Sequence, residues 1–104
     1  EERVRRILNA YGNNSDVVVI SNHINAGGGE GAEVIYALRN NSNLASNVLT
    51  ALGNKGLKMR KYYQRRLPSD TSKDYYFIHR NTGKTEPIIV EYGFIDNQND
   101  LYII

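Results

Sequence analysis

The feature that most constrains this chain is the run Asp16-Val17-Val18-Val19-Ile20-Ser21. Unbroken β-branched residues lose side-chain freedom in a helix and pack well on a pleated strand. Without polar alternation, such a run predicts a strand buried on both faces, as at the centre of a parallel or mixed sheet covered by helices. Ile88-Ile89-Val90-Glu91-Tyr92 has the same character and follows Pro87, a residue that the start of a strand tolerates. Glu33-Val34-Ile35-Tyr36-Ala37 and Tyr75-Tyr76-Phe77-Ile78-His79 read as further strands.

Between these runs apolar residues recur at a period of 3.6. Val4, Ile7, Leu8 and Tyr11 form one stripe of a helix over residues 1–11, with Arg3, Arg5 and Arg6 toward solvent. Leu44, Ala45, Val48, Leu49 and Leu52 form a second, capped by Asn41 or Ser42 and stopped by Gly53. Asn97, with Asp100 three residues on, opens a last helix. Residues 54–74 hold Lys, Arg, Tyr, Ser and Pro68 without a sustained period, which predicts mostly loop. The alternation defines an α/β fold, a mixed, mostly parallel twisted sheet flanked by helices. The first helix lacks a capping residue and the last breaks off at Ile104, so the fold is expected to be truncated at both ends.

With 104 residues, 40% of them apolar, the chain supports one core and one domain. It has no cysteine, so any metal must be held by His, Asp, Glu or water. A net charge of +2 suits an anionic polymer, cell wall or nucleic acid, without choosing between them. No apolar stretch is long enough to predict a membrane span.

Buried strands of α/β sheets deliver functional groups at their C-terminal ends, where the loops open onto a crevice. Two such ends carry titratable residues: His23 after the first buried run, and Glu91 at the end of the second. Neutral imidazole is a common zinc ligand, and a carboxylate beside a metal-bound water moves protons. Singly, either residue also suits a hydrogen-bonded structural role.

The surrounding motifs resemble the third family of N-acetylmuramoyl-L-alanine amidases, zinc-dependent peptidoglycan hydrolases. That family carries an Arg and an Asn leading to a Ser-x-His-x-Asn-Ala strand end, matched by Arg5 or Arg6, Asn14 and Ser21-Asn22-His23-Ile24-Asn25-Ala26. A glycine loop and a Gly-x-Glu strand follow, here Gly27 to Gly31 and Gly31-Ala32-Glu33-Val34-Ile35-Tyr36, then a helix containing Leu44-Ala45. Pro87-Ile88-Ile89-Val90-Glu91-Tyr92-Gly93-Phe94-Ile95-Asp96-Asn97 matches the family's Pro-(apolar)-Val-Glu-x-Gly-Phe-(apolar)-x-Asn segment nearly residue for residue.

The resemblance implies that His23 is a ligand to a Zn2+ cofactor and Glu91 the catalytic carboxylate. Asn25 and Glu33 are then candidates for substrate binding, set against an Asx turn for Asn25 and simple charge pairing for Glu33. It also implies a partial amidase catalytic domain over residues 1–104, acting on peptidoglycan as a monomer, secreted or at the wall of a bacterium, or in a phage lysis enzyme. Family members take a further His from an Asp-x-Gly-His-Gly-type loop and a Glu from the helix after it. Neither segment is in this sequence. A zinc-free wall-binding remnant of the same fold is the alternative.

Other motifs yield blander readings. Gly83-Lys84-Thr85 has Ile78 where a phosphate-binding loop needs its first Gly, so residues 81–85 read as a turn between strands. His79 lacks a carboxylate at ligand spacing and reads as a surface or structural residue. Lys55, Lys58, Arg60, Lys61, Arg65 and Arg66 with Tyr62 and Tyr63 form a basic, aromatic stretch. It suits solvated loop charge, or contact with stem-peptide carboxylates or anionic wall polymers; no nucleic acid partner is expected.

Overall fold

A computed structural model describes residues 2–104. The order is α1 (Glu2–Tyr11), β1 (Val18–Asn25), β2 (Ala32–Tyr36), α2 (Asn43–Asn54), β3 (Met59–Tyr63), β4 (Arg66–Leu67), β5 (Asp70–Asp74), α3 (Phe77–Asn81), β6 (Glu86–Phe94) and α4 (Gln98–Ile103). Four strands form one sheet in the order β1-β6-β2-β3, and β4 and β5 form a separate hairpin. The outer pairs β1–β6 and β2–β3 are parallel and the central pair β6–β2 is antiparallel. The sheet is thus mixed and mostly parallel, the α/β architecture expected.

β6 is hydrogen-bonded on both sides, and Pro87, Ile88, Ile89 and Val90 are all buried. Its even-numbered side chains, Ile88 and Val90, join Ala32, Val34, Ala45, Leu49 and Leu57 in the main core. Ala45 and Leu49 come from α2, whose apolar stripe packs on β2 and which lies toward the β3 edge of the sheet.

β1 departs from expectation. It is an edge strand with one covered face: Val19 is buried, whereas Val18, Ile20 and Ile24 are 46%, 53% and 51% exposed. The reason is lateral, since α2 lies over the other edge of the sheet and leaves this end of that face bare. A cleft of about 460 Å³ separates β1 from α1, with Val4 and Ile7 on one wall and Val19, Ser21 and His23 on the other.

Four further expectations are corrected. Residues 54–74 are not mostly loop, since they contain β3 and the β4–β5 hairpin. β3 is solvated on both faces and is held by pairing with β2, so no apolar period announces it. Tyr75 to His79 is not a strand; Phe77–Asn81 is a helix whose C-terminal end is stitched by Arg39. That guanidinium donates to the carbonyls of His79 and Thr85 and to Thr82 Oγ1, a cation where the helix dipole favours one. Residues 81–85 therefore link a helix to β6. Finally, α2 runs through Gly53 to Asn54, and the missing side chain at Gly53 makes room for Met59, whose Cγ would stand 2.5 Å from a Cβ there. The chain reverses at Gly56, with φ +105.

The last helix follows its sequence signal. Asn97 caps α4, its side chain accepting from Asp100 N at 3.0 Å. Asp100 is buried and turns its carboxylate to the N–H groups of Gly31 (2.8 Å) and Phe94 (2.9 Å), tying the glycine loop to the end of β6. Asp96 accepts from Gly27 N and Gly28 N in the same loop. Among the described residues no helix is long and apolar enough to cross a membrane.

Candidate active site

The site is assembled by register. His23 on β1 lies beside Glu91 on β6, Glu91 lies beside Glu33 on β2, and Glu33 lies beside Lys61 on β3. Side chains of register partners share a face, so one row crosses all four strands, with Cα atoms about 4.8 Å apart at each step. This face is opposite the α2 core, because Glu91 is odd-numbered on β6 and Ile88 and Val90 are even. Residues 68 positions apart in sequence are thereby brought side by side.

Two irregularities flank the row. On β6 the register jumps between Glu91 and Phe94, so that Phe94 stands beside Asn25. On β3 it jumps between Met59 and Lys61, leaving Arg60 as an extra residue. A bulge re-aims side chains that would otherwise alternate. Phe94 and Arg60 are both brought to the face of Glu91, and the guanidinium lies over the Phe94 ring at 5.0 Å from its centroid. Gly29 lies against this pair, and any Cβ there would overlap the Arg60 guanidinium and the Phe94 ring.

Electrostatics couple the row. Burial raises the Glu91 carboxyl above its ordinary value of 4.5; the His23 imidazole opposes that shift and the Glu33 charge adds to it. Glu33 is 4% exposed. Its Oε1 accepts from Asn25 Nδ2 at 3.0 Å, and its Oε2 faces Arg60 Nε at 3.9 Å and Lys61 Nζ at 3.7 Å. Burial pushes the neighbouring Tyr63 phenol up to about 12, with the Glu33 charge second. Asn25 Oδ1 also accepts from Ala26 N, so the side chain links the strand end to Glu33. His23 Nε2 is 2.8 Å from Ser21 Oγ, two residues back on the same face.

All four sequence candidates therefore lie within one small area. Sequence reasoning gave Ser21 and Phe94 no role of their own at the site, and named Arg60 and Lys61 only within the basic, aromatic stretch. Ser21 was legible from its i, i−2 relation to His23 on a strand; the bulges carried no signal. His79 lies outside the area, buried and in edge contact with Tyr76 at 5.7 Å, which corrects its surface reading in favour of the structural one.

Among the described residues no three His, Cys, Asp or Glu side chains converge well enough to hold a metal ion. A catalytic zinc site normally takes three protein ligands and leaves one position open. His23 offers one imidazole, and the Glu33 carboxylate already faces Asn25, Arg60 and Lys61. These residues alone do not make a zinc site.

The profile of the N-acetylmuramoyl-L-alanine amidase family matches residues 1–104. The chain belongs to that family. Among solved structures, Cwp6 from Clostridium difficile is 29% identical with a TM-score of 0.82, over 97% of this chain and 16% of that one. The catalytic domain of an endolysin targeting the same organism is 23% identical with a TM-score of 0.71, over 99% of this chain and 51% of that one, a likeness of fold. This amidase-family chain thus spans about half the length, or less, of the two structures it matches. No curated protein matches it.

Proposed function

We propose that residues 1–104 are part of the catalytic domain of a peptidoglycan hydrolase that cleaves the amide between N-acetylmuramic acid and the L-alanine of the stem peptide. The observation that carries this reading is the His23–Glu91–Glu33 row, in an amidase-family chain, on a face left free by the α2 core. Glu91 is the acid–base residue: a carboxyl raised by burial holds a proton closer to neutral pH, where it can pass it to the departing alanine nitrogen. Glu33 supports it twice, by its charge and by orienting Asn25, whose second amide N–H is directed to the substrate. The Ser21 hydroxyl, 2.8 Å from Nε2, holds the His23 ring on this face. Zinc, as cofactor, would take His23 as one ligand and its remaining ligands from chain outside these residues. The place of action is the bacterial wall, reached as a secreted or phage lysis enzyme, and the enzyme is monomeric.

The test is muropeptide release and zinc content measured on the full-length protein and its Glu91→Ala variant. Loss of turnover by about 10²- to 10⁴-fold with zinc retained is expected. Full activity with Ala at 91 refutes the assignment. One alternative, a zinc-free wall-binding module of the same fold, predicts a full-length protein that binds wall and contains no zinc.

A further inference from the structure

The bulge on β3 has no part in the proton chemistry. In a regular strand Arg60 and Lys61 would point to opposite faces, yet both side chains reach the same Glu33 Oε2. Two cations thus converge on one carboxylate. Both separations exceed hydrogen-bond length, and neither cation donates a side-chain hydrogen bond within the described residues. The guanidinium's five donors and the ammonium's three remain available, with side chains 41% and 53% exposed. Their positions are nonetheless constrained, Arg60 over Phe94 and Lys61 over the Tyr63 ring at 4.5 Å.

Charge is distributed to match. Residues 55–66 contain six Lys and Arg and no acid, while the rest of the chain carries seven basic against eleven acidic residues, a net of −4. Positive charge is thus concentrated in the segment that contains β3, which favours an anionic ligand there.

The geometry points to Arg60 and Lys61 as a substrate-specificity subsite that takes a free carboxylate of the stem peptide, with Glu33 standing in that role when no substrate is bound. This rests on the amidase reading above and deepens it. One strand separates Lys61 from Glu91, so their Cα atoms are about 10 Å apart. An extended peptide advances about 3.3 to 3.6 Å per residue, which puts a carboxylate of the second stem residue about 7 Å from the scissile amide. The Arg60 side chain reaches back from β3 toward Glu33 and covers that interval. A planar fork beside a point charge prefers a carboxylate to a carboxamide, which supplies no negative charge.

The experiment compares two probes on the full-length protein, N-acetylmuramoyl-L-alanyl-D-isoglutamate and its isoglutamine analogue, by calorimetric binding and by rate of alanine-amide cleavage. The acid is expected to bind at least tenfold more tightly, with the preference falling below twofold in the Arg60→Gln, Lys61→Gln double variant. The Arg60→Lys, Lys61→Arg exchange should restore it, which separates lost charge from lost fold. Raising the salt concentration should shrink the wild-type preference, as for any exposed ion pair. Equal binding of both probes by the wild type overturns the subsite even if both are hydrolysed. A preference that persists in the double variant overturns it too. Preferential binding without hydrolysis of either probe supports the subsite and instead removes the amidase reading.

Discussion

Replacing the imidazole of His79 by a ring that does not titrate tests a fully buried ionisable group away from the site. His79 is fully buried, and neither ring nitrogen has a hydrogen-bond partner. The Ile35 backbone comes close enough to oppose the shift, but not in hydrogen-bonding geometry. Burial is the main cause that lowers its pKa from 6.5 to about 4, with the Asp74 charge pulling the other way. A base whose folded pKa is depressed is protonated first in the unfolded chain, so stability is lost as pH falls from 6.5 toward about 4 and flattens below. At about 1.4 kcal/mol per pH unit, that interval is worth about 3 kcal/mol. In His79→Phe the linked loss vanishes, while any packing change enters equally at every pH. The assay is urea unfolding of both proteins, followed by far-UV circular dichroism from pH 7 to pH 4. The difference between variant and wild type should move by about 3 kcal/mol in favour of Phe across that range. A difference that stays constant with pH would show that the ring is hydrated or already paired, and would refute the reasoning.

Other substitutions read other layers. Asp100→Ala leaves the buried N–H groups of Gly31 and Phe94 without an acceptor, and urea unfolding should show a loss of about 2 to 5 kcal/mol. Gly31→Ala should also destabilise, since φ is +105 there and a Cβ would stand 2.5 Å from the Lys58 carbonyl oxygen; a loss below about 1 kcal/mol would contradict this. Glu33→Gln removes a charge that raises the Glu91 carboxyl, so an NMR titration of Glu91 should move to lower pH. Zinc added to the isolated 104-residue chain should bind more weakly than about micromolar by calorimetry, because no three ligands converge.

What sequence disclosed follows from which interactions leave a local trace. The runs at Val17 to Ile20 and Ile88 to Val90, the α2 stripe and the Asn97 cap all encode their own conformation, and each forms an element. The two-sided burial expected of β1 failed because the position of α2 over the other edge is a tertiary fact. β3 escaped notice because its residues are polar on both faces and owe their conformation to β2. Tyr75 to His79 misled by aromatic strand propensity, overridden by Arg39, which approaches from 40 residues upstream to bind the His79 carbonyl. At the site, His23, Asn25, Glu33 and Glu91 were legible through motif resemblance, and their alignment is a matter of pairing. The meeting of Arg60 and Phe94 on this face was not, since nothing in a sequence marks where a ladder skips a residue.

The dependence of the site on strand pairing sets a limit on how this segment can vary. Removing one residue from β6 ahead of Glu91 would rotate that carboxylate into the apolar layer beneath α2 and lift an isoleucine or valine into its place. Such a protein could keep most of its greasy interior and still lose its acid. Loop lengths around the sheet are therefore free to drift, whereas the count of residues between Pro87 and Glu91 is not.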